Sequence, residues 1–160
     1  MSIVLGRVDC RLLHGIVATM WAPQSGAQRV MVIDDRTAND PIIKESMRLS
    51  KPAGMACSII TEETAMKNFK AGKYDDHKVF VVCEDPNVFL RLQEEAGQKI
   101  PRIVIGITRD RDAGTKVSSR ASVKDEEKPV YKKLIENGCE VDVQFTTTDK
   151  AVKLSHAMEL

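Results

Sequence analysis

The chain has 160 residues, of which 42% are hydrophobic and 29% charged, with a formal net charge of +1. That length suits one domain over 1–160 with a sizeable core, and the charge balance gives no bulk argument for binding nucleic acid or an acidic membrane surface. No apolar run approaches the ~20 residues of a bilayer span, and the N-terminus lacks a signal-peptide pattern, so the expectation is a cytoplasmic protein that reaches any membrane process through a partner.

Aromatic residues make up only 4% of the chain, so the core must be aliphatic. Residues 3–8 are apolar almost throughout, which predicts a strand buried on both faces of a parallel sheet. Residues 15–24 read as a short helix, with Ile16, Val17, Met20 and Trp21 at helical spacing and Pro23 and Gly26 ending it. Residues 29–33 form a second strand, stopped by Asp34 and Asp35. Asn39-Asp40-Pro41 joins a capping side chain to a first-turn proline and starts a helix to about residue 50, with Ile42, Ile43, Met47 and Leu49 expected to face inward.

A third strand at 56–60, a helix capped by Thr61 and closed by Gly72, a fourth strand at 78–83 and a helix between Asp85-Pro86 and Gly97 follow. The fifth strand is at 103–105. Residues 108–119 show no periodicity and read as a long loop with a short strand near Val117, and another short strand falls at 121–123. Residues 125–137 read as a helix in which Pro129 sits awkwardly, about one turn in. Residues 140–145 alternate (Val141, Val143, Phe145) as a half-exposed edge strand does, and a last helix is expected from Asp149. Alternation from end to end, with no repeat or linker, predicts an α/β fold: an open, mostly parallel sheet with helices on both faces.

Ligands in such folds sit beyond the carboxyl ends of the strands. Three loops fall there: the one carrying His14 after the first strand, Asp34-Asp35 after the second, and 106–111 after the fifth. If those strands are neighbours, the loops share a rim. The four cysteines (Cys10, Cys57, Cys83, Cys139) and three histidines (His14, His77, His156) are scattered without metal-ligand or redox spacing, so no metal is expected. Cys57, Cys83 and Cys139 read as buried small hydrophobes, Trp21 as a packing anchor, His77 as a solvated loop residue and His156 as surface.

The chemistry concentrates in Arg7-Val8-Asp9-Cys10-Arg11-Leu12-Leu13-His14-Gly15. A neutral imidazole is a nucleophile at physiological pH, and phosphoryl transfer to it needs mainly positioning and positive charge. Arg7 and Arg11 offer forked donors, Gly15 lets the backbone approach phosphoryl oxygens, and the helix start after His14 adds N–H groups. Asp9 either holds an arginine or fixes the histidine tautomer. Asp34, Thr108 and Arg109 are further candidates for the phosphoryl site, against a capping role for Asp34 and a solvated loop for the other two. From the residues alone, a partly buried histidine beside a structural ion pair competes with the phosphoryl-carrying reading.

The order of these residues resembles the start of the IIB subunits of the mannose/fructose/sorbose family of the bacterial phosphotransferase system, with Ile16-Val17-Ala18 and Trp21 continuing the likeness. Asp34-Asp35 leading to Ala38-Asn39-Asp40-Pro41, then Pro52-Ala53-Gly54, Ala121-Ser122-Val123 and 133–138 resemble later parts of the family pattern. The chain departs from it at Cys10, at Ile16 and at Gly106-Ile107-Thr108. The resemblance implies a sheet of about seven strands and a protein-phosphohistidine–sugar phosphotransferase with no cofactor. His14 is then the phosphohistidine, with Arg7, Asp9 and Arg11 as its motif partners. It further implies a phosphorylated IIA partner, membrane IIC and IID subunits that tether the protein to the inner face of the membrane, a sugar acceptor, and dimers in many members. The rival reading, from another class, is a non-catalytic α/β module that holds a phosphorylated ligand or anion at the Arg7/Arg11/His14 loop.

Overall fold

In the computed structural model, which describes residues 2–160, β1 (Ile3–Asp9) runs through the middle of a seven-stranded sheet. The other members are β2 (Arg29–Ile33), β3 (Ala56–Ile60), β4 (Val79–Cys83), β5 (Arg102–Ile107), β8 (Glu140–Val143) and β9 (Val152–Lys153), in the order β3-β2-β4-β1-β5-β8-β9. All pairings are parallel except β8 with β9. A separate two-stranded ribbon pairs β6 (Thr115–Lys116) with β7 (Ser122–Val123). The expected open, mostly parallel sheet of about seven strands with helices on both faces is therefore what the chain forms.

Two apolar layers result from the strand pleat. Along β4, Val79, Val81 and Cys83 enter one layer, while Phe80 and Val82 enter the other. The larger layer lies under α4 (Glu62–Lys70), α5 (Asn87–Glu94) and α6 (Lys128–Glu136), with Phe69, Phe89 and Leu134 inserted. The smaller layer lies under a π-helical turn, Val17–Trp21, and α1 (Ala22–Gln24). Burial of side chains such as Phe89 and Leu134 contributes roughly 1.5–3 kcal/mol each.

Several boundaries reflect local chemistry. Asp34 caps α2 (Asp35–Ala38), Asp40 caps α3 (Pro41–Arg48) through the N–H groups of Ile42 and Ile43, and Thr61 caps α4. Pro129 is not strained: a 3-10 turn (Asp125–Glu127) precedes α6, so the proline falls in the first turn of a helix starting at Lys128.

Four expectations need correction. The helix α3 buries no residue; Ile42 is 82% and Leu49 88% exposed, and only Met47 packs against the core. The strand beneath it, β3, is an edge strand whose own residues are mostly half-exposed, so α3 has little apolar sheet to cover. The strand β8 is not an edge, because β9 pairs outside it. The last helix shrinks to α7 (Leu154–Ala157), since the preceding residues extend into β9. Finally, His77 is half-buried and accepts a hydrogen bond from Arg29 Nε at 3.2 Å.

Candidate active site

The strand order decides which loops meet. Because β1 lies between β4 and β5, the loop after β1 is flanked by Glu84-Asp85 after β4 and Thr108-Arg109 after β5. The Asp34-Asp35 loop follows β2, one strand further away, so the expected three-loop rim is broken by β4.

The β1 loop is shaped by Asp9, which is 1% exposed. Its Oδ1 accepts the Arg11 backbone N–H at 2.9 Å, and its backbone carbonyl accepts the Leu12 N–H at 3.2 Å. The Cys10 N–H donates to the Ile107 carbonyl at 3.0 Å, tying the loop to β5. Leu12 then adopts φ 61°, a left-handed conformation that costs an ordinary residue roughly 1–2 kcal/mol. The strain has a use. It lets consecutive Leu12 and Leu13 both enter the smaller apolar layer, so that His14 emerges exposed on an anchored loop. Gly15 follows at φ 45°, where a side chain is disfavoured.

The helix expected after His14 widens into the π turn at Val17–Trp21, and the Val17 N–H bonds back to the His14 carbonyl at 3.0 Å. Trp21, at the end of that turn, is buried in the smaller apolar layer. The indole N–H donates to the Phe145 carbonyl at 2.8 Å, and the ring lies 4.7 Å from the Arg7 guanidinium carbon. Trp21 is thus a packing anchor, as expected.

Arg7 is where the structure departs most from the charge-donor reading. It is 0% exposed and every guanidinium nitrogen is engaged: Nε donates to Asp9 Oδ2 at 3.1 Å, Nη1 to the Gln144 carbonyl at 3.1 Å, and Nη2 to the Phe145 carbonyl at 3.0 Å. Burial pulls its pKa down, while the charge and hydrogen bond of Asp9 oppose that. Arg7 does not reach the surface. It braces β1 against the β8 exit, passing over Gly106, where an added Cβ would collide with Nη2 and Cζ and lie 2.8 Å from Nε. Asp9 likewise accepts from Arg7 on one oxygen and from the Arg11 N–H on the other, and among the described residues no hydrogen bond links it to His14.

Arg11 is exposed, and its guanidinium has no hydrogen-bond or ion-pair partner among the described residues. The remaining candidates are otherwise engaged. Asp34 Oδ2 accepts from the Thr37 N–H and hydroxyl, a cap. Thr108 Oγ1 accepts the Ser122 N–H at 2.9 Å, fastening the small ribbon. Arg109 forms a forked bridge to Glu84, with Nε to Oε1 at 2.8 Å and Nη2 to Oε2 at 3.0 Å. Glu84 was invisible in the sequence reading, because only the strand order reveals that the loop after β4 adjoins β1. Burial, reinforced by Asp9 and Glu84 and opposed by Arg109 and Arg11, pushes the Cys10 thiol up, which disfavours its thiolate. Among the described residues no histidine, cysteine or carboxylate cluster suits a metal ion.

Residues 3–160 match the family described as PTS system sorbose subfamily IIB component. The chain belongs to that IIB family. Among relatives, it is 30% identical over 154 residues to the PTS system mannose-specific EIIAB component of Escherichia coli (strain K12), covering 96% of this chain and 47% of that protein. The chain thus spans about half the length of that relative. It is 27% identical to the PTS system sorbose-specific EIIB component of Klebsiella pneumoniae, covering 96% of this chain and 93% of the relative. The crystal structure of the IIBSor domain of the sorbose permease from Klebsiella pneumoniae superposes with a TM-score of 0.88 at 26% identity, over 98% of this chain and 96% of that one. The IIB fold of this chain and its relationship to IIB components of sugar phosphotransferase systems follow directly. No helix among the described residues is long and apolar enough to cross a membrane.

Proposed function

We propose that this IIB chain accepts a phosphoryl group on His14 from a phosphohistidine of a IIA partner and passes it to a sugar delivered by membrane IIC and IID subunits. The observation that carries this is the exposed His14 on a loop pinned by Asp9, Leu12 and Leu13, three residues from the disengaged Arg11 guanidinium sharing its loop. A ring nitrogen lone pair attacks phosphorus as the donor P–N bond breaks, and that bond's electron pair returns to the donor ring. Arg11 offsets charge on the equatorial oxygens, the main assistance such transfer needs. Arg7 and Asp9 act as positioning residues that hold the loop in shape. The IIA partner is supported by the mannose-specific relative, which is named an EIIAB component and is about twice as long as the stretch matched. The absence of a long apolar helix among the described residues is compatible with attachment to the membrane through IIC and IID.

The test is intact-mass spectrometry after incubation with a phosphorylated IIA protein at neutral to basic pH, followed by peptide mapping. One phosphoryl group on His14, lost in acid, is expected, and His14→Ala should show none while keeping its thermal stability. No added mass in the presence of a demonstrably active IIA would replace the carrier reading with that of an anion-binding module.

A further inference from the structure

The bridge between Glu84 and Arg109 joins the loops after β4 and β5, and in the sheet β1 lies between those strands. The bridge therefore spans the mouth of the β1 loop, and both side chains act electrostatically on Cys10 at its start. Unlike Arg7, Arg109 is open: its side chain is 65% exposed and that of Glu84 35%. The only hydrogen bonds on the guanidinium among the described residues are the two to Glu84. The Glu84 carboxylate thus occupies both prongs of a fork that fits a phosphoryl group equally well, beside the loop that presents His14.

We infer that Glu84 is an exchangeable stand-in for the phosphoryl group: it parks Arg109 at the rim of the His14 loop, and on phosphorylation of His14 the guanidinium transfers from the carboxylate to the phosphoryl oxygens. This rests on the carrier reading above. The exchange breaks two hydrogen bonds to carboxylate and forms two to phosphoryl oxygen, with no proton transferred. A phosphoryl group carries more negative charge and more acceptor oxygens than a carboxylate, which favours the exchange. Exposed arginine–carboxylate bridges hold by no more than about fivefold, so release is easy.

The experiment follows phosphoryl loading of the full chain by phosphoramidate, a small donor that needs no partner surface, using intact mass. Four proteins are compared: the unaltered chain, Glu84→Gln, Arg109→Gln and the double variant. Glu84→Gln should load about two- to fivefold faster, and Arg109→Gln on the order of tenfold slower. The double variant should match Arg109→Gln, since Glu84 acts only through Arg109. In the unaltered chain, the Arg109 Nε–H resonance should shift on phosphorylation. A merely structural bridge would make Glu84→Gln slower or leave it unchanged, and either result overturns the exchange. So does an equal speed-up by Glu84→Gln in the Arg109→Gln background, which would reflect only removal of negative charge. An unaltered chain that takes up no phosphoryl group fails the carrier reading itself and the exchange with it, whereas a phosphorylated unaltered chain with an unresponsive Glu84→Gln fails the exchange alone.

Discussion

Two arginine–carboxylate pairs flank the exit of β1, built from the same chemistry and put to different ends. Arg7 with Asp9 is sealed inside, with side-chain exposures of 0% and 2%. Arg109 with Glu84 lies on the rim, the arginine mostly in solvent and the carboxylate about one-third exposed. The inner guanidinium has three anchors besides the tryptophan face, and two of them are backbone carbonyls that cannot move away. The outer one has a single partner on an exposed loop. Burial converts an ion pair into architecture, because neither charge can be left alone in a low dielectric. Exposure leaves the pair exchangeable, because water substitutes for either partner at little cost.

The sharpest way to break this contrast is Arg7→Met. It leaves Asp9 buried without its countercharge and strips a donor from the carbonyls of Gln144 and Phe145. We expect a loss of about 3–5 kcal/mol in denaturant unfolding, against less than about 1 kcal/mol for Glu84→Gln. Similar losses in the two variants would mean that burial does not separate the pairs.

Gly106→Ala probes the same brace from outside the pair. Its Cβ would need the space that Arg7 occupies, and the pinned end of Arg7 has nowhere to retreat. The expected cost is about 1–3 kcal/mol, read as a lower denaturation midpoint. In an Arg7→Met background most of that cost should vanish, since the flexible thioether can yield. An unchanged cost there would place the clash elsewhere.

Much of this arrangement was legible from the chain alone, for stated physical reasons. Uninterrupted apolar runs such as Val79–Cys83 announce strands buried on both faces, and Asp40-Pro41 and Thr61 announce helix starts. The order Arg-x-Asp-x-Arg-x-x-His-Gly also marked the loop that leaves the central strand and carries an exposed histidine. What stayed hidden depends on contacts far apart in sequence. That Arg7 is interior follows from carbonyls 137 and 138 residues away. That Glu84 adjoins the site follows from β4 lying beside β1, which local pattern does not encode. The outward Ile42 and Leu49 mislead for the same reason: helical spacing defines an apolar face, but sheet order decides whether anything lies opposite it.

Arg11 gives the smallest expected effect on stability and the clearest division of labour. It shares the motif with Arg7 and sits four residues later, yet its guanidinium is in solvent with no partner among the described residues, and only its backbone N–H serves the loop. Arg11→Gln keeps that N–H, so the Asp9 turn should persist and the unfolding free energy should stay within about 0.5 kcal/mol of the unaltered chain. Phosphoryl loading of His14 should nevertheless slow by on the order of tenfold or more, because the proposed role of Arg11 is to offset charge that develops in transfer. The split between the two readouts is the point: Arg7→Met should fail in stability first, and Arg11→Gln in rate alone. If Arg11→Gln loads at the normal rate, charge assistance at His14 falls to Arg109, and the Glu84 exchange becomes the main control on the site.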